Sequence, residues 1–268
     1  MKKLLSSLAA FVLVLGVFAP VAFADNHSGG EMAMVRVLHA SPDAPAVDVY
    51  VDGNAVVEGA EFKAATDYME LPAGEHMVEI YAAGTMGEQD PAISTNVTVE
   101  AGMAYTAAAI NNLDSIELKA LQDETEASEG MAKVRVAHFI PGAPAVDVGP
   151  IGGDALFSGA EFPMVTEYSE LEAGTYDLEV RTTDGTQLVD LSGTTVEAGK
   201  VYSAFAVGTA DSPEVLLLED SAAMPSSMPE TGFGGAADTN SNAMAYAAIL
   251  GVLAMGAGFV FFRKRSEA

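Results

Sequence analysis

The chain has no cysteine and no tryptophan, and basic residues are scarce. Without cysteine it cannot form disulfides, use a thiol nucleophile or build a Cys-based metal site. The absence of tryptophan weighs against an aromatic platform for carbohydrate. Among 268 residues, 12 are Lys or Arg and 38 are Asp or Glu, giving a formal net charge of −26. Such a surface repels nucleic-acid phosphates, so no nucleic-acid partner is expected, and it suits high salt or the binding of divalent cations.

The N-terminus is typical of a secretory signal peptide. Lys2 and Lys3 precede an apolar stretch over residues 4–23, and Ala22-Phe23-Ala24 has the small-x-small form of a cleavage site. We therefore expect residues 1–24 to be removed, with cleavage between Ala24 and Asp25.

The C-terminus has the pattern of a membrane anchor. Residues 243–262 contain no charge, and a helix of this length spans about 30 Å, the thickness of a bilayer core. Arg263, Lys264 and Arg265 follow, and basic residues stay on the cytoplasmic side. The pattern predicts a single-pass helix with the body of the chain outside the cell.

A pentapeptide precedes this helix, Met228-Pro229-Glu230-Thr231-Gly232. It resembles the LPxTG sorting signal of cell-wall-anchored proteins, with Met228 in place of leucine. The resemblance implies a sortase as a transient partner, cleavage after Thr231 and transfer of the Thr231 acyl group to peptidoglycan. The membrane would hold the chain before sorting. The alternative is an uncleaved single-pass membrane protein.

The region between the two ends repeats itself at a spacing of 97 to 100 residues, so each repeat is a whole domain. We assign domain 1 to residues 31–121 and domain 2 to residues 132–219, joined by an acidic linker at 122–131. Residues 220–231 form a stalk with the sorting motif, and 232–268 form the sorting tail. The repeated segments include Val35-Arg36-Val37 with Val134-Arg135-Val136, and Ala44-Pro45-Ala46-Val47-Asp48-Val49 with Ala143-Pro144-Ala145-Val146-Asp147-Val148.

Within each repeat, apolar and polar residues alternate with a period of two, as in Val47-Asp48-Val49-Tyr50-Val51. Turn signals such as Asp52-Gly53 separate these runs. Seven or eight short strands per domain predict an all-β fold of two tandem antiparallel β-sandwiches, immunoglobulin-like or transthyretin-like.

The same residues carry a family resemblance. The segment Arg36-Val37-Leu38-His39-Ala40-Ser41-Pro42-Asp43-Ala44-Pro45-Ala46-Val47-Asp48-Val49-Tyr50-Val51-Asp52-Gly53 resembles the opening signature of the DUF4397 domain family. The second repeat departs from it at Phe139-Ile140-Pro141-Gly142 and at Gly149-Pro150. The resemblance implies an exported or surface protein and carries no established activity.

Two polar pairs occupy matched positions, His39 with Asp48 and His138 with Asp147. Such a pair could belong to a metal site or an acid–base dyad, but a metal needs three or four ligands and catalysis needs a nucleophile. We therefore interpret them as structural polar pairs and expect neither a metal nor a cofactor.

The loop Ser41-Pro42-Asp43 is a possible binding loop, because two nearby prolines stiffen it on a rigid scaffold. Ser41 is also the one candidate nucleophile beside His39, although domain 2 has Ile140 there.

The favoured function is a cell-wall-anchored display, adhesion or structural module without catalysis, with an unknown surface protein or glycan as a partner. Two alternatives stay open. One is a module that binds a small ligand, glycan or divalent cation through the domain 1 loops, and the other is a hydrolase.

Overall fold

The computed structural model describes residues 32–221. In this range the regular structure consists of sixteen strands and one short 3₁₀ helix, so the predicted all-β class is confirmed. No helix within it is long and apolar enough to cross a membrane. The predicted signal peptide and the helix over 243–262 lie outside the described residues.

Repeat 1 covers residues 32–123 and contains eight strands, as the alternating pattern predicts. The strands are β1 (Met32–His39), β2 (Val47–Val51), β3 (Asn54–Ala60), β4 (Met69–Pro72), β5 (Gly74–Ala82), β6 (Ile93–Val99), β7 (Ala104–Ile110) and β8 (Glu117–Asp123), with the 3₁₀ helix Leu113–Ser115 before the last. They form an inner sheet in the order β4-β1-β7-β8 and an outer sheet in the order β3-β2-β5-β6.

Repeat 2 covers residues 131–220 and has the same arrangement. Its strands are β9 (Met131–His138), β10 (Val146–Pro150), β11 (Phe157–Ala160), β12 (Ser169–Glu172), β13 (Gly174–Thr182), β14 (Gln187–Val196), β15 (Val201–Thr209) and β16 (Ser212–Glu219). The inner sheet has the order β12-β9-β15-β16 and the outer sheet β11-β10-β13-β14.

The predicted antiparallel pairing of strands is found everywhere in the four sheets except at one strand pair in each repeat. Strand β1 runs parallel to β7, with Met34 opposite Ala104, and β9 runs parallel to β15. In each repeat the two paired strands are far apart in the sequence, and the strands of the outer sheet lie between them along the chain. No hairpin therefore forces them to be antiparallel.

The predicted turn at Asp52-Gly53 is present, and in the structure it closes a hairpin. Both residues have positive φ, 51° and 78°, as a two-residue turn between antiparallel strands requires. This turn joins β2 directly to β3, with Val51 opposite Asn54. Repeat 2 replaces it with a longer connection over residues 151–156.

Each repeat has its own core between its inner and outer sheets. In repeat 1 it is built around Val37, Val49 and Ile80, and in repeat 2 around Val136, Val148 and Val180. These residues alternate with polar ones along their strands, which is why the period of two could be read from the sequence.

A third core, the interdomain core, lies between the two inner sheets. The central strands of the inner sheets, β1, β7, β9 and β15, are therefore covered on both faces, and β1 has only one exposed residue, Met32. All three cores are built from residues within 32–221. The members of the interdomain core are Leu38, Ala40, Ala108, Ile110 and Leu121 from repeat 1, and Ala137, Phe139, Phe205 and Val207 from repeat 2.

The two repeats contribute unequally to the interdomain core. Phe139 and Phe205 pack with their ring centroids 5.7 Å apart, and both come from repeat 2. The matching positions in repeat 1 are Ala40 and Ala108, and all four residues are fully buried. Large side chains of one repeat thus fill the space that small side chains of the other leave free.

Candidate functional site at the junction of the repeats

A buried arginine of repeat 1 crosses the junction. Arg36 lies on β1, and its Nε donates to Thr106 Oγ1 of the same repeat at 2.8 Å. Its Nη1 donates to the Glu219 carbonyl at 2.9 Å, and Nη2 donates to the Asp220 carboxylate. Arg36 therefore binds both its own inner sheet and the last buried residue of repeat 2.

Arg135 makes the same contacts in the opposite direction. Its Nε donates to Ser203 Oγ at 2.7 Å, within repeat 2. Its Nη1 donates to the Gln122 carbonyl at 2.8 Å, and Nη2 donates to the Asp123 carboxylate at the end of β8. Each repeat thus supplies one arginine to the other repeat and receives one.

Two hydroxyl groups close these contacts into a ring. Thr106 donates to Asp123 Oδ2 at 2.6 Å, and Ser203 donates to Asp220 Oδ2. The chain of bonds passes through six side chains and returns to its start. We call it the junction ring, formed by Arg36, Thr106, Asp123, Arg135, Ser203 and Asp220.

Two tyrosines cover the ring. Tyr68 OH donates to Asp123 Oδ2 at 2.6 Å, and Tyr168 OH donates to Asp220 Oδ2 at 2.7 Å. The guanidinium of Arg36 lies 4.9 Å from the Tyr68 ring centroid, and that of Arg135 lies 4.7 Å from the Tyr168 centroid. Each arginine therefore has carboxylate, hydroxyl, carbonyl and aromatic partners.

The ring is neutral overall because two guanidinium groups face two carboxylates, and each ion pair is at most 3 % exposed. Burial raises the pKa of Asp220, while Arg36 and the donors Ser203 and Tyr168 act in the opposite direction. Burial, and then the neighbouring Asp123 carboxylate, raises the pKa of Tyr68. This tyrosine therefore stays protonated and remains a donor.

Two open clefts border the junction ring, one beside Arg36 and the other beside Arg135. One, of about 500 Å³, is lined by Arg36, Thr66, Asp67, Tyr68 and Glu219 among others. The other, of about 420 Å³, has Arg135, Thr166, Glu167, Tyr168 and Gln122 at matching places. Because the guanidinium groups already bind the ring, the clefts offer little free binding capacity, and we assign the ring a structural role.

The two repeated histidines bind their own loops. His39 Nε2 lies 3.1 Å from the Pro45 carbonyl, and its Nδ1 accepts the Ser41 N–H at 3.4 Å. His138 repeats this with the Pro144 carbonyl and the Ile140 N–H, at 3.3 and 3.2 Å. Burial lowers the pKa of both imidazoles, so each is a neutral ring that fixes a loop.

The predicted pairing of His39 with Asp48, and of His138 with Asp147, is therefore wrong. Asp48 instead accepts the N–H groups of Gly59 and Gly84, both at 2.7 Å. Asp147 accepts the Gly159 N–H at 2.8 Å. The structural interpretation of these residues remains, but each one binds backbone rather than the other side chain.

The Ser41-Pro42-Asp43 loop is tied to the fold. Ser41 is fully buried, so it presents no hydroxyl at the surface, and its Oγ has no hydrogen-bond partner. Asp43 is exposed, but its Oδ1 accepts the Leu113 N–H at 2.8 Å. Because neither nitrogen of His39 contacts Ser41 Oγ, the two residues do not form a nucleophile–base pair.

Sequence reasoning missed the junction ring. Asp123 was assigned to the acidic linker, but it is the last residue of β8 and is buried. Asp220 was assigned to the stalk, but it is fully buried. The available signal was the pair Arg36 and Arg135, which recur between apolar neighbours in strands with few other charges.

Other predicted features lie outside what the structure describes or find no counterpart within it. Among residues 32–221, no group of three or more His, Asp or Glu side chains is arranged to hold a metal ion. The sorting motif Met228, Pro229, Glu230, Thr231 and Gly232, and the cleavage site Ala24–Asp25, lie outside the described residues.

The fold and the ring define a protein of two β-sandwich repeats joined by a shared buried junction. The family model described as "Domain of unknown function (DUF4397)" matches residues 33–149 and 132–228. The chain belongs to this family. The two overlapping matches agree with two copies of the domain.

A comparison with curated proteins found no match. Among solved structures, the chain is similar to a family 26 carbohydrate-binding module from Eubacterium rectale Amy13K in complex with maltoheptaose. The identity is 12 % and the TM-score 0.20, with 70 % of this chain and 96 % of the module covered.

The chain is also similar to two candidate cell adhesion proteins. For the protein from Bacteroides uniformis the identity is 12 % and the TM-score 0.20, with 72 % of this chain and 100 % of that chain covered. For the protein from Bacteroides fragilis the values are 11 % and 0.17, with 69 % and 96 % covered. Similarity at this level carries no information about function.

Proposed function

We propose that this chain is exported, anchored to the cell wall through Thr231, and displayed there as a rigid two-domain module for adhesion or spacing, without catalysis. The terminal signals in the sequence support the location. The junction of the repeats supports the mechanical part of the proposal.

The junction ring and the interdomain core are the observations that carry the proposal. Two domains on a free linker would move independently, whereas these share buried apolar and charged contacts. Asp220, the last buried residue before the stalk, is bound to Arg36 on the first strand. A pull on the stalk is thereby passed to both repeats at once.

The surface charge indicates the chemistry of a partner. Residues 32–221 contain 33 acidic and 7 basic residues. Two of the basic residues, Arg36 and Arg135, are buried in the ring. An adhesion partner would therefore present positive charge or use bridging divalent cations.

The alternatives find less support. Binding through the domain 1 loop would need Ser41 and Asp43 to be available, but Ser41 is buried and Asp43 binds Leu113. A hydrolase would need an activated nucleophile, and Ser41 Oγ has no hydrogen-bond partner to activate it.

Mass spectrometry of cell-wall digests tests the anchoring. We expect the mature chain to begin at Asp25 and to end at Thr231 with a wall peptide attached. An intact chain through Ala268 in the membrane fraction would contradict wall attachment and leave only a membrane anchor.

Hydrogen exchange in denaturant tests the rigid module. Amides of β5 in repeat 1 and of β13 in repeat 2 should lose protection in one shared transition, because both repeats depend on the interdomain core. Two separate transitions would show that the repeats are independent domains.

A further inference from the structure

A cavity of about 210 Å³ lies inside the sandwich of repeat 2, between its inner and outer sheets. All eight strands of the repeat, or the residues directly before them, contribute to its wall. Most of the side chains that line the cavity are apolar. They include Val136, Ala204 and Leu217 of the inner sheet and Val148, Phe157 and Leu191 of the outer sheet.

The two polar side chains in the wall are already satisfied. Tyr176 OH donates to the Glu172 carbonyl at 2.6 Å, and Thr194 Oγ1 donates to the Leu191 carbonyl at 2.7 Å. Within residues 32–221 the one buried side-chain atom without a partner is Ser41 Oγ, in the other repeat. The cavity therefore offers neither a charge nor a free hydrogen-bonding group to a ligand.

The wall is incompletely covered at two places. Leu156 is 40 % exposed and Leu217 is 39 % exposed, although both line the cavity. Leu156 ends the connection 151–156, which replaces the tight turn of repeat 1, and strand pairing resumes only at Phe157. The shortened edge strand leaves the wall exposed to solvent at Leu156.

We propose that this cavity binds a small uncharged apolar molecule, such as a single aromatic ring or a short alkyl chain. An apolar cavity of about 150 Å³ engineered in another protein stays free of water and binds benzene, so 210 Å³ is sufficient for a ligand of this class. A second pocket of about 120 Å³ shares the lining residue Val215 with the first.

This binding is independent of wall anchoring and of the junction ring, because the cavity lies on the other face of the inner sheet. Repeat 1 provides the matched control. In repeat 1, Ala107 on β7 lies opposite Val37 on β1. In repeat 2, Ala204 on β15 lies opposite Val136 on β9 in the same way. The two alanines therefore occupy equivalent places in the two sandwiches.

The test uses residues 25–231, which contain all sixteen strands, with ¹³C-labelled Leu and Val methyl groups and toluene as the probe. We expect saturable shifts of the Val136, Val148 and Leu191 methyl signals, and NOEs from toluene to these methyls. Ala204→Leu should weaken toluene binding at least tenfold by filling the cavity, whereas Ala107→Leu should leave it unchanged.

Leu191→Phe fills the cavity from the opposite sheet and serves if Ala204→Leu does not fold. Circular dichroism and a single unfolding transition establish folding for each variant. The absence of saturable shifts and of NOEs in the wild-type protein would overturn the proposal. Equal loss of binding in Ala204→Leu and Ala107→Leu would also overturn it, because the effect would then not be local to repeat 2.

Discussion

Repeat 1 and repeat 2 share one strand order and one set of charged residues at their junction, but they differ in the apolar side chains placed there. Each supplies an arginine, an aspartate, a tyrosine and a hydroxyl to the network around the ring. Repeat 2 supplies Phe139 and Phe205, and repeat 1 has Ala40 and Ala108 at the matching places.

The two repeats fit each other at the junction through side chains of different size. Phe139 and Phe205 of repeat 2 pack in the shared core, and repeat 1 has alanines at the matching positions, so one core accommodates both rings.

A second difference lies at the end of the outer sheet. His76 Nε2 lies 2.7 Å from the Pro72 carbonyl and Nδ1 lies 2.6 Å from Asp52 Oδ2. In repeat 2, Tyr176 takes this place and donates to the corresponding Glu172 carbonyl. The same backbone contact is made by an imidazole in one repeat and by a phenol in the other.

The largest expected effect comes from breaking the ring. Arg36→Ala leaves Asp220 buried without its cation, and we expect a loss of about 3–5 kcal/mol in the free energy of unfolding. Arg135→Ala should cost about the same if the two halves are equivalent. Urea denaturation of both variants measures the comparison.

Arg36→Lys is the conservative control. Lysine keeps the charge but lacks the planar fork that reaches Thr106, Glu219 and Asp220 together, so its loss should be intermediate. Losses below about 1 kcal/mol for both alanine variants would show that the ring contributes no more than a surface pair.

The difference in side-chain size at the interdomain core can be tested by exchanging the residues at two matching positions, Ala108 and Phe205. Ala108→Phe adds a ring to a filled core and should cost about 1–3 kcal/mol. Phe205→Ala removes one and should cost about 3–5 kcal/mol.

The double variant Ala108→Phe with Phe205→Ala should lose less than the two single losses combined, because the new ring occupies space that the other leaves. Thermal or urea unfolding of the three variants gives the coupling. Strict additivity would mean that the two positions do not share one space.

The His76 contrast predicts a pH effect of smaller size. Burial works against the imidazolium, but the hydrogen bonds to Asp52 and Pro72 raise the pKa of His76 overall. Its contribution to stability is therefore complete below the unfolded pKa of about 6.5 and is lost as the pH rises through the higher folded pKa.

His76→Tyr makes repeat 1 resemble repeat 2 and serves as the test. The melting temperature of the wild-type protein relative to this variant should be highest at low pH and should fall as the pH rises through the His76 pKa. A difference that is constant between pH 5 and pH 9 would contradict the assignment.

The smallest effect is expected at the exposed rim of the junction. Lys63 Nζ lies 2.9 Å from Glu214 Oε2 of the other repeat, and both side chains are more than one-third exposed. Lys63→Ala should cost less than about 1 kcal/mol, with most of that lost in high salt. If Lys63→Ala lowered the free energy of unfolding as much as Arg36→Ala does, buried and exposed ion pairs would not differ in their contribution to stability.

Features with a local cause were predictable from the sequence. The period of two predicted seven or eight strands in each repeat, because one face of each outer-sheet strand meets a core. Asp52-Gly53 predicted a turn, because both residues tolerate positive φ. The matching of His39 with His138 correctly indicated one role in both repeats, although their partners were wrong.

Features that depend on distant residues were not predictable. Asp123 and Asp220 lie in acidic, polar surroundings that are typical of a linker and a stalk. Arg36 and Asp220 are 184 positions apart, and no spacing rule brings them together. The pairing of His39 with Asp48 failed for a different reason, because each side chain binds backbone groups instead of the other side chain.

The sequence by itself determined the all-β class, the two repeats and most of the strands, since these follow from alternation and turn residues. Tertiary structure alone decided that the central strands of the inner sheets are buried on both faces and that the repeats share a core and a ring. The physical reason is that burying a charge requires a partner, and each arginine finds its carboxylate partner only once the two repeats have come together.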